Sequence, residues 1–156
     1  LIRLQTEHNR YYPHSLIFVS KPTDRQRVLA ELEAHARQGD VFFVYDEQAE
    51  PCASMIVGES TLGGEGFLLE QTNTAQIKSA YAQPDVRKKG IGTAMLQRAI
   101  EWAQQQGYAR LFVEHETANL YGGNFWNSYF TPYLYAAMRY IDTTLDNPAR
   151  GEPSIK

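Results

Sequence analysis

The spacing of apolar and polar positions divides the chain into elements. Residues 1–14 are polar and aromatic without a clear period and read as a linker or a partial first strand. Residues 15–20, SLIFVS, form a short apolar run of strand type. Thr23 and Gln26 have the spacing of a capping box, and Val28, Leu29, Leu32 and Ala36 mark one face of a helix ended by Gly39. Residues 41–45 and 52–58 predict two strands joined by a polar turn over 46–51, an antiparallel hairpin. After a loop over 61–66, two further strands are expected at 67–71 and 75–82. Ile91, Met95, Ala99 and Ala103 recur every four residues, with Leu96 and Ile100 beside them, and Gly107 stops that helix. A strand over 110–116, a short helix over 118–129 weakened by Gly122 and Gly123, and a last strand over 133–141 complete the pattern. Residues 147–156, with two prolines and a glycine, form a tail, which leaves one domain over 15–146. This order predicts an α/β fold with a mixed, mostly antiparallel sheet flanked by helices.

One turn carries the chemistry. Between the strand at 75–82 and the long helix lies Val86-Arg87-Lys88-Lys89-Gly90-Ile91-Gly92-Thr93. Gly90 and Gly92 remove side chains where backbone N–H groups approach a ligand. A helix start leaves its first four N–H groups unpaired at the positive end of the macrodipole. Such a place suits a phosphate or pyrophosphate, and Arg87, Lys88 and Lys89 add positive charge around it.

The run Arg87-Lys88-Lys89-Gly90-Ile91-Gly92, with Pro84 upstream and Ile-Gly-Thr-Ala-Met-Leu downstream, resembles the Arg/Gln-x-x-Gly-x-Gly/Ala signature of the GNAT (Gcn5-related N-acetyltransferase) superfamily. The resemblance is clearest over residues 75–130. It implies a sheet splayed at the cofactor site, with acetyl-CoA in the gap. Tyr81, Ala82 and Val86 would hold the pantetheine arm by main-chain hydrogen bonds, and Arg87, Lys88, Lys89, Gly90, Ile91, Gly92 and Thr93 would take the pyrophosphate. Asn119 matches the asparagine that faces the cofactor arm. Phe125 and Trp126 fall where the family has an aliphatic residue and the tyrosine that protonates the leaving thiolate. An indole N–H is no substitute for that phenol. Tyr121, Tyr129 and Tyr133 lie nearby and inherit the role, unless water takes it; most of this aromatic cluster reads as core and cleft wall. The base that deprotonates the acceptor ammonium is sought among Glu70, Glu114, His115 and Glu116. On an alternating strand His115 continues the face of Leu111 and Val113, while Glu114 and Glu116 share the other.

Composition narrows the partners. A net charge of −3 and the absence of a long basic stripe argue against a nucleic-acid binder. No apolar run near the length of a membrane span is present, and His8, His14 and His35 lack ligand spacing, so neither a membrane nor a metal is expected. The single cysteine, Cys52, sits in an apolar run as a core residue, which fits a reducing, cytoplasmic setting. The expected activity is N-acetyl transfer from acetyl-CoA to a small amine or a protein or peptide amine by direct attack. The alternative is a non-catalytic acyl-CoA-binding or regulatory domain on the same scaffold. A Rossmann or Walker nucleotide site fits neither glycine spacing nor lysine placement. Leu1 in place of Met suggests a domain of a longer chain with an N-terminal companion, and a homodimer is the other context considered.

Overall fold

The computed structural model describes residues 1–10, 21–60, 73–116 and 119–135. Along them run α1 (Ile2–Asn9), α2 (Arg25–Arg37), β1 (Val41–Glu47), β2 (Glu50–Glu59), β3 (Thr74–Ala82), a 3-10 turn (Pro84–Val86), α3 (Ile91–Gln105), β4 (Arg110–Val113) and α4 (Leu120–Tyr129). The chain divides into two compact units, one of Leu1–Asn9 with Pro22–Glu114 and one of Arg10–Lys21 with His115–Lys156.

The first unit holds a four-stranded sheet in the order β1-β2-β3-β4. β1 and β2 pair antiparallel, as do β2 and β3, and β3 and β4 pair parallel across the α3 connection. The mixed sheet flanked by helices is the expected fold class. β2 is buried from Cys52 to Gly58 because helices cover both of its faces. On one face Val28, Leu32 and Ile56 form a core cluster joined by Leu1, Ile2 and Phe42. On α3 the buried positions are Ile91, Met95, Leu96, Ala99 and Ala103, the predicted stripe without Ile100, which is half-buried.

Several expectations need correction. Residues 2–9 are neither linker nor strand but a helix, α1. Its buried residues are Leu4, Gln5 and Asn9, and with two of three polar, no apolar period could announce it. The N-cap of α2 is Asp24, whose side chain accepts from the Arg27 amide at 3.0 Å, so the Thr23–Gln26 capping box does not form. The β1–β2 turn is only Gln48-Ala49, both at positive φ (54° and 65°), the two-residue geometry that matches strand twist. β4 ends at Val113, not Glu116, because Glu114, His115 and Glu116 leave the ladder. Residues 133–135 are not in a strand. The readings placed on 15–20, 61–71 and 136–156 lie outside the described residues. No helix among the described residues is long and apolar enough to cross a membrane.

The capping correction is open to a direct check. Asp24→Ala should cost about 1 kcal/mol in urea unfolding, whereas Thr23→Ala should cost less than about 0.5 kcal/mol.

Candidate functional site

The site begins with one extra residue in β3. Ile56 is opposite Ser79 and Val57 is opposite Ile77, so Lys78 has no partner on β2. This bulge reverses the phase of the strand. Before it, the Thr74 carbonyl accepts from Ser60, the residue just past β2, at 2.9 Å, and the Asn73 carbonyl accepts from Ala109, ahead of β4, at 3.0 Å. After it, the Gln83 amide donates to Cys52 of β2 at 3.0 Å, and the Ala82 carbonyl turns away from β2 to accept from Arg87 Nε at 2.9 Å. Alternation then directs the Tyr81 peptide groups toward Ser54 on β2, and those of Ala80 and Ala82 toward the opposite edge.

Among the described residues, no strand pairs with that opposite edge. The last β3–β4 pair is Ile77 with Val113, so Lys78–Ala82 run on with no β4 neighbour. The extra residue follows directly on the last β3–β4 pair, so the phase change and the end of that ladder fall at adjacent residues. The peptide groups that face the side left by β4 belong to Ala80 and Ala82. Tyr81, expected there, turns its backbone to β2. Its neighbours Ala80 and Ala82 are half-buried and carry only a methyl group.

The chain then crosses the 3-10 turn, buries Val86, and enters α3 through Lys88 at φ 61° and Gly90 at φ 83°. Left-handed Lys88 is an uncommon conformation for a residue with a side chain. A Cβ on Gly90 would meet nothing within 4 Å, so its glycine answers to backbone conformation and not to crowding. No side chain caps the helix start, and the first backbone bond of α3 runs from Ala94 to the Gly90 carbonyl at 3.0 Å. Ile91 is buried, Gly92 half-buried, and Lys88, Lys89 and Thr93 are exposed. Arg87 differs from its neighbours. Besides its bond to Ala82, its guanidinium carbon lies 5.9 Å from the centre of the Tyr81 ring, so it closes the end of β3.

A row of polar anchors from the N-terminal side holds the other face of β3. Ser79 Oγ lies 3.2 Å from Gln5 Oε1 and 3.1 Å from His8 Nδ1. Gln5 in turn donates to Asn9, and Asn9 to the Pro22 carbonyl and to Glu31. Tyr81 OH donates to Glu7 at 3.2 Å, and Gln83 Nε2 donates to the same oxygen at 3.2 Å. Glu7 is thus a part-exposed carboxylate at the C-terminal end of β3, and sequence reasoning missed it because α1 itself was not visible.

In the second unit, Asn119 caps α4, accepting from the Gly122 amide at 3.0 Å. A Cβ on Gly122 would lie 2.6 Å from Asn119 Nδ2, which is a reason for glycine inside this helix. Phe125 and Trp126 meet edge to face at 4.8 Å, and Phe125 lies 5.1 Å from Tyr129. Trp126 is buried, whereas Tyr129 is 51% and Tyr121 72% exposed. His115 and Glu116 are half-buried, with His115 Nδ1 3.3 Å from the Glu116 carbonyl. The strand alternation that would oppose them does not apply beyond Val113. Glu70 lies outside the described residues. Cys52 is buried, and burial first, then Glu47, Asp85 and Asp46, pushes its thiol up. Among the described residues, no three of His, Cys, Asp or Glu group as a metal site.

A family model described as the acetyltransferase (GNAT) family matches residues 1–129. Streptothricin acetyltransferase A of Bacillus subtilis (strain 168) is 38% identical over 52 residues, which is 33% of this chain and 30% of that protein. The matches thus span 30% of the length of the curated relatives. Among solved structures, ribosomal-protein-alanine N-acetyltransferase from Brucella melitensis superposes with a TM-score of 0.63 at 21% identity, covering 81% of this chain and 76% of that one. An aminoglycoside N-acetyltransferase in complex with CoA superposes with a TM-score of 0.58 at 10% identity, covering 75% and 87%. At these identities the likeness is one of fold.

Two measurements check the local physics. Gly90→Ala should lose about 1–2 kcal/mol in urea unfolding, since a Cβ there is strained without clashing. The unfolded chain releases the Cys52 proton at lower pH than the folded chain. Stability should therefore fall as pH rises from about 8 to about 9.5, and Cys52→Ala should flatten that slope.

Proposed function

The chain belongs to the GNAT acetyltransferase family, and on that footing we propose that it transfers acetyl from acetyl-CoA to an amine by direct attack. One observation carries the reading: peptide groups on an open β3 edge lead within ten residues into a helix start that no side chain caps. The α3 start, from Arg87 to Thr93, would hold the pyrophosphate through directed N–H donors and Lys88 and Lys89. The Val86 backbone and the Ala80–Ala82 edge would hold the pantetheine arm, and an N–H on that edge would polarise the thioester carbonyl. Acetyl-CoA supplies an activated acyl group whose thiolate leaves readily, so the chain need only orient the amine and move two protons.

For those protons we propose Tyr129 or Tyr121 as the acid that meets the thiolate, with Asn119, Phe125 and Trp126 shaping the wall beside the cofactor arm. The base is proposed among Glu116, His115 and Glu70, to which Glu7 is added as a carboxylate at the end of β3. An amine acceptor agrees with the names of the relatives, which include streptothricin, aminoglycoside and ribosomal-protein-alanine acetyltransferases. A buried, lone Cys52 is compatible with a reducing, cytoplasmic setting.

Acetyl-CoA incubated with a panel of small amines and N-terminal peptides should release CoA with at least one of them. Binding without turnover on every amine would favour an acyl-CoA-binding domain. Gly92→Val should abolish acetyl-CoA binding in calorimetry, because a branched side chain would stand at the first helical turn; unchanged affinity would remove the cradle. Tyr129→Phe should lower turnover at least about tenfold while leaving acetyl-CoA affinity within about twofold, as loss of general acid help does.

A further inference from the structure

Lys78, the extra residue of β3, does not end in solvent. Only 9% of its side chain is exposed, and its Nζ lies 2.7 Å from Asp40 Oδ1 and 3.4 Å from Gln38 Oε1. The Asp40 side chain is 1% exposed, and its other oxygen lies 2.7 Å from His35 Nδ1. Both carboxylate oxygens are therefore engaged, one by the bulge and one by α2. The carboxylate also rests directly on β2. A Cβ on Gly58 would lie 1.7 Å from Asp40 Oδ1 and 3.2 Å from Lys78 Nζ. Glycine at 58 makes the room in which the pair forms.

A buried ion pair stabilises little against an apolar pair of the same size, because desolvation offsets the attraction. Its geometry, however, selects one arrangement. Lys78 decides the phase of everything after it. Without an extra residue there, alternation from Thr74 would turn Ala80 and Ala82 toward β2 and Ser79 and Tyr81 toward the open edge. We propose that the Lys78–Asp40 pair is a register lock: it pins the extra residue at 78 and so sets which peptide groups face the acyl donor. Lys78 and Asp40 are positioning residues, remote from the reacting atoms. This rests on the acetyl-transfer reading for its functional half.

The test uses the double variant Lys78→Met with Asp40→Asn, which removes both charges together and leaves no lone buried ion. In the unaltered protein, amide exchange followed by NMR should be slow at Tyr81, paired to β2, and fast at Ala80 and Ala82. The double variant should remain folded with a melting temperature within a few degrees, yet lose that contrast. Its acetyl-CoA dissociation constant should rise about tenfold or more, in line with the cost of displaced binding groups. Lys78→Arg alone, with Asp40 intact, should keep both readouts. Gly58→Ala, which pushes the carboxylate off β2, should reproduce the defect with every charge still present. This variant decides the matter if the double variant fails to fold. An unchanged exchange pattern in a folded variant overturns the lock. A lost pattern with unchanged affinity overturns its positioning role. If the unaltered protein binds no acetyl-CoA, the acetyl-transfer reading fails while the exchange pattern still decides the lock.

Discussion

A strand can serve two masters only by changing phase. β3 must share its peptide groups with β2 along its length, yet on its other side pair with β4 over its first half and with no described strand over its second. The extra residue at 78 resolves this. Upstream, the peptide groups not used by β2 meet β4; downstream, they reach an edge that no strand among the described residues occupies. An unpaired strand edge is ordinarily a liability. Here it is short, it ends in a guanidinium that closes its last carbonyl, and it runs straight into a helix start that no side chain caps. The two features form one site because they belong to one continuous stretch of backbone.

Losing a ladder on one side removes hydrogen bonds that would otherwise hold β3 in place. The structure replaces them from another direction. Lys78, Ser79 and Tyr81 each end on a polar partner: Asp40, the Gln5–His8 pair and Glu7. Buried polar side chains are costly unless they are satisfied. Gln5, Asn9 and Ser79 satisfy one another in a chain that runs on to the Pro22 carbonyl and Glu31. An apolar interface would have packed as well but would have allowed the strand to slide.

How much of this could be read from residues alone follows from which force built each part. The stripe Ile91, Met95, Leu96, Ala99 and Ala103 is a solvent-driven pattern, and it gave α3 correctly. The hairpin of β1 and β2 was visible for the same reason, although its turn is tighter than Pro51 and Asp46 suggested. The motif at 87–92 marked the helix start because glycine has few other reasons to recur there. α1 was invisible because Gln5 and Asn9 are buried by hydrogen bonding, which leaves no hydrophobic trace. The phase of β3 was invisible too: a bulge is a relation between two strands, and neither Lys78 nor Ala82 signals it by its own identity. Glu7 came to light only with the helix that carries it.

The arginine of the motif has a consequence of its own. Arg87 turns its guanidinium to the Ala82 carbonyl and the Tyr81 face, while Lys88 and Lys89 are exposed beside the helix start. Exposed ammonium groups are screened at ordinary ionic strength, whereas peptide donors at contact distance are not. An anion held there would owe its grip to fixed dipoles more than to net charge, and would therefore stay bound in a salty medium that strips ligands from a merely basic patch.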